Sequence, residues 1–171
     1  MGKKQKSFPK VNVVVDTNIV FSGILNHSGS ISDILLNSSD VFEFYSPSSI
    51  VEELDRHHKK LVNISGFTEK DIRFLKRMPL KKISLIDLEQ ISSDNWQEAI
   101  TLTKDVDEFD APFIALSLEL ESPLWTGDKK LIKGLDRKGV EWIFDTHRER
   151  DKRKTLNPLQ NIIKHAFFER E

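Results

Sequence analysis

The 171-residue chain contains no cysteine, which excludes disulfide bonds and thiolate zinc sites and removes the usual mark of an oxidising compartment. No apolar run approaches the roughly 18 residues needed to span a bilayer. The N-terminus, Met1-Gly2-Lys3-Lys4-Gln5-Lys6, is basic but no apolar stretch follows it, so neither a signal peptide nor a membrane anchor is expected. These absences predict a cytoplasmic protein that does not associate with membranes. Charge of one sign is missing too: 26 basic against 27 acidic residues give a net charge of −1, so bulk basicity does not argue for nucleic-acid binding. Internal repeats and low-complexity tracts are also absent.

With 38% apolar and 31% charged residues, the chain can build one domain with a real core. The charges are unevenly placed. Lys3, Lys4, Lys6 and Lys10 form a basic N-terminal segment, residues 1–10. Lys129, Lys130 and Lys133 gather near Asp128, and residues 147–154 read HRERDKRK.

The chain alternates strand and helix patterns. Val11 to Val15 is nearly continuous and β-branched, as in a strand buried on both faces, and it ends on Asp16 and a polar turn. A short helix is expected over 30–36 and a strand over 41–45, with Ser46-Pro47-Ser48 opening the next helix. A helix starting at Thr68 should stop at Met78-Pro79, followed by a strand over 82–86 and a helix over 93–103. Residues 111–121 are apolar almost all round, the mark of a helix held between layers. Leu124 to Thr126 reads as a strand, 129–135 as a helix and 140–144 as a fifth strand. The expected fold is a three-layer α/β/α sandwich around a parallel sheet of four to five strands, spanning residues 11–145. Residues 146–171 read as a linker and a C-terminal amphipathic helix. It begins at Asn157-Pro158, with Leu159, Ile162, Ile163, Ala166 and Phe167 on one stripe.

Two of these strands stop on a carboxylate, Asp16 and Asp128. In an open parallel sheet, carboxyl ends of neighbouring strands face one crevice, so acids from distant parts of the chain can meet there. Asp110 stands at the mouth of the buried helix. At about 100° per residue, Ile50, Val51 and Leu54 define the inward face of their helix; Glu53 borders that face and Glu52 points further away. Taken singly, each acid has a plainer reading as a turn residue, a helix cap or a solvated side chain. Together they form an oxygen-rich cluster suited to a hard divalent cation such as Mg²⁺ or Mn²⁺.

Four blocks carry a family resemblance: Val14-Val15-Asp16-Thr17-Asn18, Ser49-Ile50-Val51-Glu52-Glu53-Leu54, residues 107–116 (DEFDAPFIAL) and Trp125-Thr126-Gly127-Asp128-Lys129-Lys130-Leu131. In order and spacing they resemble the signature blocks of PIN domains, α/β/α nucleases of which many are toxins of bacterial and archaeal toxin-antitoxin pairs. The resemblance implies a metal-holding quartet of Asp16, Glu53, Asp110 and Asp128, with Asp107 as an auxiliary acid and Asn18 and Thr126 as hydrogen-bonding supports. It also implies metal-dependent hydrolysis of single-stranded RNA, a small antitoxin partner and a homodimer. Lys129 and Lys130 are the candidate RNA-binding residues.

Rival readings fare unevenly. Phosphatases with an aspartyl-phosphate intermediate want a second acid two residues after the first; that position is Asn18. A zinc protease is not indicated, because His57 and His58 are adjacent and diverge by about 100° on a helix. A non-catalytic RNA- or partner-binding domain and a housekeeping RNA-processing nuclease remain as alternatives to a toxin.

Overall fold

The computed structural model describes residues 9–146. Most of the basic N-terminal segment, the HRERDKRK stretch and the expected C-terminal helix lie outside the described residues. Five parallel strands, β1 (Val11–Val15), β2 (Phe42–Pro47), β3 (Ile83–Ile86), β4 (Leu124–Trp125) and β5 (Ile143–Phe144), form one sheet in the order β3-β2-β1-β4-β5. The chain fills one side of β1 with β2 and β3, then crosses back to place β4 against the other side. β1 and β4 therefore flank the topological switch point, where parallel sheets open a crevice at their carboxyl ends.

Among the described residues eight helices cover the sheet: α1 (Thr17–Leu25), α2 (Ser30–Asn37), α3 (Ile50–Arg56), α4 (His58–Ser65), α5 (Glu69–Leu80), α6 (Ser93–Thr103), α7 (Ala111–Glu119) and α8 (Lys129–Asp136). Alternation along the strands divides the core in two. Val13, Val15 and Trp125 pack with Ile19, Ile24, Leu35, Leu54, Leu61 and Ile72 from α1 to α5. Val14 and Leu124 face the other way, onto Ala99, Phe113, Ile114, Leu116, Leu131 and Leu135 from α6 to α8. Val13, Val14 and Val15 have no exposed surface, as expected of a central strand covered on both faces. No single helix among the described residues is long and apolar enough to cross a membrane.

Several boundaries differ from the sequence reading. Asp16 is followed not by a polar turn but directly by α1: Thr17 and Asn18 form its first turn, and the apolar face starts only at Ile19. Pro47 closes β2 rather than opening a helix, and the helix begins after Ser49. α5 runs through Pro79 to Leu80, because a proline in the last turn forfeits only one helical hydrogen bond. Its start is locked by a capping box between Thr68 and Asp71. His57 is not within one continuous helix; it sits exposed at the junction of α3 and α4.

One close contact joins the layer of α6 to α8 to the loop before α7. A methyl group at Gly134 of α8 would stand 2.4 Å from Cγ2 and 2.7 Å from Cγ1 of the buried Val106. Valine is stiff at χ1 and cannot swing aside. Gly134→Ala is therefore expected to destabilise the protein by about 1–3 kcal/mol through overpacking, despite the gain in helix propensity. Val106→Ala in the same chain should recover most of that loss in a denaturant titration; additive losses would mean that α8 is not pinned here.

Candidate active site

Asp16 and Asp110 occupy the positions preceding α1 and α7, yet neither side chain caps its helix. Capping is the ordinary use of an aspartate at such a position. Asp16 is instead buried, 4% exposed, in a hydrogen-bond network that crosses the switch point. Its Oδ2 accepts from Thr126 Oγ1 at 2.6 Å and from Asn18 Nδ2 at 2.9 Å. Thr126 Oγ1 also accepts from Asn18 Nδ2 at 3.2 Å and from the Asp128 backbone N–H at 3.1 Å. Asn18 Oδ1 accepts from the Gly127 N–H at 3.0 Å. One hydroxyl proton and two lone pairs saturate Thr126, so its rotor and the Asp16 carboxylate are both fixed.

Asp128 does cap: its Oδ1 accepts from the N–H groups of Lys130 and Leu131 at 2.8 and 3.0 Å, which leaves Oδ2 outside the cap. Glu53 is half-buried on α3 while Glu52 is exposed. Thr17 Oγ1 donates to Glu53 Oε2 at 2.5 Å, tying the second block to the first. Sequence reading overlooked Thr17. The available signal was its place between two site residues in a helix's first turn, where a hydroxyl has no apolar work to do.

Asp110 completes the cluster. Its Oδ2 is buried and has no hydrogen-bond partner among the described residues. Burial raises the Asp110 pKa most, and the charges of Asp16, Asp107, Asp128 and Glu53 raise it further, to about 8. Asp16 is likewise raised to about 6, chiefly by burial and then by Glu53 and Asp128, against the lowering effect of its donors. The structure thus brings Asp16, Glu53, Asp107 and Asp128 within electrostatic range of Asp110. Asp107 also fixes the local backbone, accepting from the Phe109 N–H at 3.1 Å in the 3-10 turn Glu108–Asp110. Lys129 and Lys130 are exposed at the start of α8 beside Asp128.

Among the described residues no group of three acidic or imidazole side chains stands in a geometry that could hold a metal ion. The donor set nevertheless fits a hard cation. It consists of carboxylate oxygens, one of them buried without a partner, in a cluster whose self-repulsion a divalent charge would relieve.

A PIN domain family model matches residues 14–155. The chain belongs to the PIN domain family. Among solved structures it is similar to VapBC2 from Rickettsia felis bound to a DNA fragment from their promoter. The TM-score is 0.61 with 14% identity, covering 79% of this chain and 98% of that one, so the likeness is one of fold. No curated protein matches the sequence. PIN domains are generally nucleases, and in this member acids from all four blocks lie within electrostatic range of Asp110.

The raised pKa values set a pH dependence. An acid whose folded pKa lies above its unfolded value stabilises the protein most when protonated, and that stability is lost as pH rises through the folded pKa. In EDTA, stability should therefore fall between about pH 4 and pH 8, with Asp16 alone accounting for about 2–3 kcal/mol. Asp16→Asn should raise the Tm at pH 8 and leave it nearly unchanged at pH 4, as read by thermal melts. An equal effect of the substitution at both pH values would contradict the buried-charge account.

Proposed function

We propose that this PIN domain is a divalent-metal-dependent ribonuclease that hydrolyses phosphodiester bonds of single-stranded RNA. The observation that carries the reading is the unpartnered, buried Oδ2 of Asp110 facing the charges of Asp16, Asp128 and Glu53. A polar atom left in this state has a use when a ligand arrives. When bound, Mg²⁺ or Mn²⁺ supplies Lewis acidity that activates water and stabilises the departing oxygen.

The chain's own residues supply the rest. Asp16, Asp110 and Asp128 hold the cation, directly or through water. Glu53, steadied by Thr17, either joins them or orients the attacking water and takes up its proton. Asn18 and Thr126 keep Asp16 in one rotamer, and Asp107 adds to the negative field around Asp110. Lys129 and Lys130 meet the phosphate backbone at the rim. No serine, cysteine or histidine nucleophile is needed.

The likeness to VapBC2 favours a role as the toxin of a type II toxin-antitoxin pair, held inactive by a small antitoxin protein. We place the protein in the cytoplasm and expect it to work as a homodimer. A housekeeping RNA-processing nuclease would use the same site without an antitoxin, and a small neighbouring gene separates the two roles. A non-catalytic RNA- or partner-binding domain has no use for the Asp110 environment.

Labelled single-stranded RNA incubated with the protein and Mn²⁺ or Mg²⁺ should be cut. EDTA, Asp16→Asn and Asp110→Asn should each reduce the rate by at least about 100-fold while the circular dichroism spectrum stays native. Cleavage that survives EDTA or Asp16→Asn would overturn the mechanism. Folded, metal-supplemented protein that binds several RNAs but cuts none would favour the non-catalytic reading.

A further inference from the structure

Phe109 is 84% exposed, the most open of the large apolar side chains among the described residues. Scattered exposed apolar residues are ordinary on protein surfaces. The position of this one is not. It lies between Asp107 and Asp110 in the 3-10 turn that delivers Asp110 to the crevice. Its Cα is therefore about 3.8 Å from that of Asp110. Phe74 and Met78, also exposed, lie together on α5 beside an apolar groove between α1, α2 and α5. Phe109 does not line that groove, and among the described residues no ring contact joins it to another aromatic side chain.

Its backbone is held firmly. The Phe109 N–H donates to Asp107 Oδ1 at 3.1 Å, and the Asp110 N–H donates to the Asp107 carbonyl at 3.2 Å. The next residues, Ala111 to Ser117, begin a helix buried along most of its length. A rigid support thus presents an aromatic ring to solvent one residue from the acid that the same turn delivers to the crevice. Nucleobases all have a π face, and stacking on an aromatic ring is worth about 1–3 kcal/mol per base without regard to sequence. The crevice itself is acidic and repels phosphate, so an uncharged contact next to it adds affinity where a negative field otherwise reduces it.

We infer that Phe109 is a base-binding residue, a stacking platform for the unpaired nucleobase that flanks the phosphate entering the Asp16–Asp110 crevice. The inference rests on the ribonuclease reading for its substrate and assigns the occupant of this ring as a single-stranded RNA base. Such a platform favours single strands, because a base paired within a duplex cannot turn its face onto a side chain.

The test uses the full chain and labelled single-stranded RNA, reading KM and kcat for cleavage in Mn²⁺ and Kd by fluorescence anisotropy in EDTA. Phe109→Ala should raise KM and Kd about 5- to 100-fold with kcat little changed, and Phe109→Trp should stay within about twofold of the native protein. The Phe109→Ala loss should persist from about 50 to 300 mM salt, whereas the loss from Lys129→Ala with Lys130→Ala should shrink as salt rises. An RNA lacking the base next to the cleaved bond should weaken the native protein and leave Phe109→Ala indifferent.

Unchanged KM and Kd in Phe109→Ala, or losses that add for the variant and the abasic RNA, would overturn the inference. So would a change in oligomeric mass in Phe109→Ala with RNA binding intact, which would make the ring a protein contact. Phe109-dependent RNA binding without any cleavage by the native protein would remove the nuclease reading and keep this one. Cleavage indifferent to Phe109 would do the reverse.

Discussion

The site depends on one costly choice, the burial of the Asp16 carboxylate at the end of the central strand. A carboxylate with 4% exposure sits where desolvation disfavours its charge, and the fold answers with two donors from a threonine and an asparagine 108 residues apart in sequence. Those donors hold the group in place without fully offsetting its burial, which is why its pKa remains raised, at about 6. Carboxyl groups perturbed in this way cluster at functional sites. Asp110 carries the same logic further, since its buried oxygen has no donor among the described residues.

The placement of the acids follows from how each element begins or ends. Asp16 and Asp110 precede helices they do not cap, so their side chains are released to turn inward; Asp128 caps α8 with one oxygen only. Helix N-termini also carry partial positive charge, which makes three such positions tolerable neighbours for crowded carboxylates. Glu53 reaches the same crevice from the first turn of α3, where Ile50 and Leu54 seat the helix against the core and Thr17 fixes the carboxyl end.

The long, strongly patterned elements were legible in the sequence. The β-branched run at 11–15 has one physical reading, and residues 111–119, apolar all round, have only one place to go in a layered fold. The candidate acids were legible as a set because each falls at a strand end, a helix mouth or the edge of an apolar face. The start of α1 was not, because its first turn is polar for the sake of the site, and polar residues after a strand resemble a turn. α5 ran past its proline because a break costs little in a final turn. The partnering of Thr17 with Glu53 spans 36 residues and rests on a tertiary contact that no local pattern encodes. The bond from Asn18 to Gly127 is of the same kind, set by how two distant loops approach.

What joins these parts is strand register. Val14 lies opposite Leu124 and Val15 opposite Trp125, so the next residues, Asp16 and Thr126, meet as a direct consequence of the ladder. The Asp16 N–H donates to the Trp125 carbonyl at 3.0 Å and closes that register just before the chain turns into α1. A slip of β4 by one residue would move Leu124 and Trp125 to the wrong layers and part Asp16 from Thr126 in the same step. The apolar alternation that separates the two cores is therefore also what aligns the acids. The helices of one layer bring Thr17 and Glu53, those of the other bring Asp110 and Asp128, and the crevice exists only where both layers meet the ends of β1 and β4. Because the hydrophobic packing of both faces enforces the register, the crowding of carboxylates is sustained by core energy remote from the charges themselves.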